Sequence, residues 1–154
     1  MVRTVDVVSQ VLQEYVFKAA ELSRKKQIKD KEQWEECRKS VDAVKENFTG
    51  IVEQELRKNL TENPVFNKNM HLDIMIIPEA VIEEHIRTGG YISVCYSKVP
   101  MLQELVDLVK QEGLEPFISH RDSETPGKKH DATFQVTIPD KLLQSPYLHV
   151  VNAV

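Results

Sequence analysis

The sequence predicts an α+β protein with an N-terminal helical arm, residues 1–63, followed by a small α/β domain, residues 64–154. Two observations predict it. All seven prolines lie after Asn63, and the earlier part contains one glycine, Gly50, so little there interrupts a helix. Beyond Pro64 the apolar spacing changes from three and four to the shorter periods of strands. With 154 residues, 41% of them hydrophobic, the chain can build a core without disulfides or metals.

Two apolar seams run along the arm, each with the alternating spacing of three and four that is typical of heptad helices. The first comprises Val5, Val8, Leu12, Tyr15, Ala19 and Leu22, and the second comprises Trp34, Cys37, Val41, Val44, Phe48 and Ile51. The seams are out of phase, and the highly charged segment 24–31 separates them. We therefore expect a hairpin of two helices, about 4–25 and 31–61. Asp30 would be the N-cap of the second helix and Gln33 its capping-box partner.

One continuous helix through residue 61 is the alternative, because segment 24–31 contains neither glycine nor proline. Such a helix would be about 90 Å long, too long for so small a body to cover, and would need a partner chain. In either geometry the exposed seam favours self-association. Packing of both helices on their own domain is the competing interpretation. From the second seam we predict the interaction residues Trp34, Val41, Val44, Phe48 and Ile51.

The α/β domain is predicted to contain four strands and three short helices. The strands are expected at 71–77, 91–96, 114–119 and 132–138, and the helices at 79–87, 99–112 and 139–144. The apolar run that ends the first strand predicts a central strand covered on both faces. The alternation in the fourth predicts an edge strand or an open face. The order β-α-β-α-β-β-α predicts three parallel strands joined by right-handed crossovers, with the fourth as an antiparallel neighbour.

Ligands of an open parallel sheet bind beyond the carboxyl ends of its strands. The predicted turns there present Glu79, Ser97, Lys98, His120, Arg121 and Asp122. Ser97 would also cap the following helix, whose first amides attract an anion. These residues therefore suit a phosphate or carboxylate ligand. However, no glycine-rich phosphate loop accompanies them, and a simple cap with solvated loop residues explains the same pattern.

Histidines and cysteines offer weaker candidates. His71 and Asp73, two apart on a strand, share a face as a metal or acid/base pair would require. No HExxH or HxH element supports a metal site, so we favour surface histidines, with His85 on the polar side of its helix. Cys37 and Cys95 lack CxxC spacing and are predicted to be reduced. We expect no metal and no cofactor.

Charge excludes further classes of protein. The net charge of −4 belongs entirely to residues 64–154, because residues 1–63 carry twelve cations and twelve anions. Segment 24–31 concentrates five cations without an aromatic side chain to stack on bases, and glutamates follow it, which argues against nucleic acid. No apolar run approaches the ~20 residues of a membrane span. The first residues do not resemble a secretory signal, so a cytoplasmic location is expected.

The sequence favours a non-enzymatic interaction, regulatory or assembly module, because no complete catalytic set can be identified. It would self-associate or bind a protein partner through the arm and the polar loop 120–130, which is longer than most hairpin connections. Plain flexibility is the other interpretation of that loop. The alternative function is a small enzyme or binding protein for an anionic ligand at the strand ends.

Overall fold

A computed structural model describes residues 2–62, 70–89 and 96–143 of the chain. The described elements are α1 (Thr4–Glu46), α2 (Phe48–Glu62), β1 (His71–Ile77), α3 (Glu79–Arg87), α4 (Pro100–Gln111), β2 (Glu115–Asp122), β3 (His130–Thr137) and the short α5 (Asp140–Leu143). The fold is therefore mixed helix and sheet, as predicted, and a long helix begins it.

Helix α1 runs without a break through segment 24–31, so the predicted hairpin is wrong. That segment consists mostly of Lys, Arg and Gln, which are good helix formers. The phase difference between the seams needs no turn, because the first seam faces outward and only the second contacts the body. The helix ends at Glu46. The backbone N–H of its C-cap, Asn47, donates to the carbonyl of Ala43, and α2 begins at Phe48.

The described sheet has three strands in the order β1-β3-β2, and both pairings are antiparallel. β1 and β2 run in the same direction, as predicted, but β3 lies between them, so no two described strands are parallel neighbours. Of the two interpretations of the last predicted strand, the edge position is wrong among the described strands, because β3 lies in the middle. The β2–β3 hairpin places β3 beside β2, and β1 then pairs with the free side of β3. The predicted strand 91–96 lies, apart from Tyr96, outside the described residues.

Helices cover one face of this sheet. In β3 the alternation of Ala132, Phe134 and Val136 with polar residues puts the apolar set in the core, which suits a strand with one face packed against helices. In β1, Ile77 is buried while Ile76 is 72% exposed. The prediction that β1 is covered on both faces is therefore wrong for the described part of the chain.

The core joins side chains from both sides of Pro64. It contains Cys37, Val41, Val44, Phe48, Met75, Ile77, Val81, Ile82, Val99, Leu102, Leu105, Val106, Val109, Ile118, Ala132, Phe134 and Val136, with Trp34 and Ile51 packed against it. The second seam of the arm thus packs on its own body. Of its predicted interaction residues, Val41, Val44 and Phe48 are buried in the core, and Trp34 and Ile51 are partly buried against it. The burial of Cys37 raises the pKa of its thiol to about 11, which keeps it protonated and unreactive.

An ion-pair network fastens α1 to α4. The guanidinium of Arg38 and the ammonium of Lys45 both donate to the carboxylate of Glu104, the latter at 2.9 Å, and Arg38 also pairs with Asp42. The hydrogen bond from Arg38, and then that from Lys45, lowers the pKa of Glu104 from 4.5 to about 2. The network therefore requires an ionised Glu104.

The Glu104→Gln substitution is expected to lower the free energy of unfolding by about 1 kcal/mol at pH 7, a modest amount because the side chain is a third exposed. Because the pKa of Glu104 is lower in the folded than in the unfolded protein, its ion pairs stabilise the fold fully at pH values above 4.5. This stabilisation is lost as the pH falls toward 2 and the carboxylate is protonated. The gap between wild type and variant in urea unfolding should therefore narrow from pH 7 to pH 3. Glu112→Gln, at an exposed position beyond the end of α4, is the control. An equal gap at both pH values would contradict the assignment.

Candidate functional site

The carboxyl ends of β1 and β2 lie at the same end of the sheet. Ile77 of β1 and His120 of β2 are both in register with Ala132 of β3. Glu79, which follows β1, therefore lies at the same end of the sheet as the predicted site residues of β2.

The predicted site residues of β2 contact the neighbouring strand. His120 Nε2 lies 2.8 Å from His130 Nδ1, so the two rings share one hydrogen bond. Arg121 lies 3.8 Å from the carboxylate of Asp131, which also accepts from Lys128 at 2.9 Å. The hydrogen bond from Lys128 holds the pKa of Asp131 below its usual range. Asp122, directly opposite His130 in the register, is exposed.

Ser97 has a structural position. Its hydroxyl is buried, accepts the backbone N–H of Val99 at 3.1 Å and lies 2.7 Å from Nδ1 of His85. The side chain of Gln103 accepts the backbone N–H of Ser97 in return, which resembles a capping box before α4. His85 is 1% exposed, so its predicted place on a solvated helix face is wrong. Lys98 is exposed.

A cleft of about 360 Å³ opens where α1, the start of α3 and the β2–β3 loop meet. It is lined by Lys25, Lys26, Lys29, Asp30, Gln33, Glu79, Ala80, Glu83, Gly127 and Lys129. The side-chain oxygen of Gln33 accepts the backbone N–H of Ala80 at 2.7 Å, so α1 caps α3 and fixes one wall. Gly127, with φ of 81°, allows the turn that forms the opposite wall.

The lysines of this cleft are only partly neutralised. Lys25 pairs with Glu21 at 3.4 Å. No carboxylate of the described residues lies within 4.0 Å of the ammonium groups of Lys26, Lys29 or Lys129. Of the residues that line the cleft, only Glu79 is among the ligand-binding candidates predicted from the sequence. Segment 24–31 and loop 120–130 are recognisable separately in the sequence, and nothing in their spacing shows that they meet.

The first part of α1 is not covered by the rest of the described chain. Every residue from Val2 to Lys29 is exposed, and Asp30 is the first that the body partly covers. Large apolar side chains in this stretch are between 48% and 76% exposed, namely Val2, Val5, Val7, Val8, Val11, Leu12, Tyr15, Val16, Phe17, Leu22 and Ile28. We call residues 4–29 the free arm. All six residues of the first seam predicted from the sequence lie in the free arm and are exposed.

The predicted His71–Asp73 pair has separate partners. His71 Nδ1 lies 2.8 Å from the hydroxyl of Thr137, and Asp73 accepts from the side chain of Gln135 at 2.6 Å. In the part of the chain that is described, no three His, Cys, Asp or Glu side chains are arranged to hold a metal ion. Among the same residues, no helix has both the length and the apolarity of a membrane span.

Comparisons with protein-family models, curated proteins and solved structures find no match to this chain.

Proposed function

We propose that this protein is a non-enzymatic assembly module that self-associates through its free arm. The observation that carries the proposal is the set of ten large apolar side chains of the free arm that the body leaves exposed. Exposed apolar patches of this extent mark interaction surfaces in proteins that are otherwise well packed. The free arm would be about 39 Å long, enough for a helix–helix interface.

The composition of the free arm supports the same proposal. Five valines between Val5 and Val16 lower its intrinsic helix propensity, because β-branched side chains lose rotamer freedom in a helix. Its ion pairs, Arg3–Asp6 and Lys25–Glu21, are highly exposed and contribute little. Most helices owe their stability to packing of an apolar face, so a partner that covers the seam would stabilise this one.

Light scattering of the purified full chain tests the proposal. We expect a mass of at least twice the 17.7 kDa of one chain at micromolar concentration. A mass of one chain at every concentration would contradict self-association through the free arm.

A second candidate function is the binding of an anionic ligand in the lysine cleft. It is favoured by the three lysines that no described carboxylate neutralises, brought together from α1 and from a loop about a hundred residues later. The cleft also contains the carboxylates of Asp30, Glu79 and Glu83, so the ligand must leave these side chains solvated. A phosphate-containing group that contacts the lysines and leaves these carboxylates in water would satisfy both conditions.

The Lys29→Ala, Lys129→Ala double substitution is expected to abolish stabilisation by an anion in this cleft. With inorganic pyrophosphate as the probe, the unfolding temperature of the wild type should rise, and the rise should shrink with added salt because the contacts are ionic. Lys39→Ala with Lys58→Ala, two exposed lysines outside the cleft, is the charge-matched control and should respond as the wild type does. An equal rise in the cleft variant and the control would contradict the site.

A further inference from the structure

We infer that the helix covering the free arm is the free arm of a second copy of this chain, laid antiparallel in one defined register. The inference rests on the proposed function and adds the segment of the second copy that is contacted, its direction and its alignment. Its starting point is the exposed first seam, in which positions of the first kind (Val5, Leu12 and Ala19) alternate with positions of the second kind (Val8, Tyr15 and Leu22).

In an antiparallel pair, each seam residue of the first kind is level with one of the second kind on the other helix. A register in which the two residue numbers add up to 27 aligns the whole seam with itself. Val5 is then level with Leu22, Val8 with Ala19, and Leu12 with Tyr15. Each layer occurs twice by symmetry, so six layers form and every seam residue has a partner. The small Ala19 lies beside a valine, and the hydroxyl of Tyr15 can reach water at the edge.

The length of the exposed helix fits this register. The seam ends at Leu22, and the next two seam positions are Lys26 and Lys29, which do not suit a core. At that end, Lys25 is level with Val2 of the second copy. The body begins to cover α1 at Asp30, so the overlap uses the free arm and stops before the body.

Charge favours antiparallel over parallel. Segment 24–31 carries five cations and one anion. A parallel pair would hold the two segments 8–10 Å apart, the ordinary helix spacing, and would place Lys26 against its own copy. The antiparallel register separates their midpoints by about 42 Å along the axis, at 1.5 Å per residue. That distance is several Debye lengths at physiological salt, so the segments no longer repel each other appreciably.

Engineered cysteines test the register. A chain with both Val8→Cys and Ala19→Cys should form a covalent dimer on mild oxidation, at least about tenfold more than either single variant, because only the two different positions are level. Peptide mapping should link position 8 of one chain to position 19 of the other. The wild type serves as the background for the native cysteines, of which Cys37 is buried.

Light scattering of the reduced double variant separates the two proposals. A dimer in which the double variant is linked and the single variants are not supports the antiparallel register. A dimer in which Val8→Cys alone links to its own copy overturns the register and shows a parallel pair. A dimer that is linked in none of the variants also overturns the register. A wild type of one-chain mass overturns the proposed function itself.

Discussion

Replacing Leu12 and Tyr15 by glutamate is expected to weaken self-association at least about a hundredfold, or about 2.7 kcal/mol. Both side chains lie in the middle of the exposed seam, and both are more than half exposed in the single chain. In the dimer, the double substitution would bury four carboxylates in adjacent layers without partners, which is costly. The body should stay folded, because neither side chain contacts it. Sedimentation velocity over a concentration series measures the loss.

The control for this variant is Gln10→Glu with Gln13→Glu. It adds the same charge to the same stretch of helix, on the side away from the seam. It should keep the dimer, and both variants should keep the wild-type unfolding midpoint of the body. If the seam variant dimerises as tightly as the control, the free arm is not the interface.

Val41→Glu is expected to destabilise the body by at least about 4 kcal/mol, enough to unfold much of it. Val41 is fully buried among core residues that come from helices and sheet alike, so the new carboxylate would be removed from water. Urea unfolding followed by near-ultraviolet circular dichroism measures the effect. Ala43→Glu, two residues away on the exposed side of the same helix, should change the stability by less than about 0.5 kcal/mol.

The same variant distinguishes two roles for the second seam. Val41 belongs to the interaction surface predicted from the sequence, whereas in the structure it lies in the core. A folded Val41→Glu protein that has lost only its self-association would contradict the core assignment and favour the earlier one.

The sequence predicted several elements because their signals are local. Proline and glycine positions mark the ends of β1 and α3 closely. The apolar periods of α4 and β3 identify the sides that face the core. Heptad spacing also located both seams. It could not show which of them is covered, because the same pattern describes a helix packed on its own body and a helix waiting for a partner.

The errors concern long-range relations. The change of seam phase near segment 24–31 suggested a turn, but a single helix can present one seam to solvent and another to its body. Strand order depends on which strand pairs with the free edge of β3. That strand is β1, which is some sixty residues away in the sequence. The lysine cleft requires both the unbroken α1 and the β2–β3 hairpin, so no local pattern could predict it.

Hydrogen–deuterium exchange of the wild type reports whether a partner covers the free arm in solution. At high protein concentration we expect the amides between Val8 and Leu22 to be protected, and dilution should remove that protection while the amides of α4 remain slow. Rapid exchange of Val8–Leu22 at every concentration would contradict the account, because the arm would then be uncovered in solution.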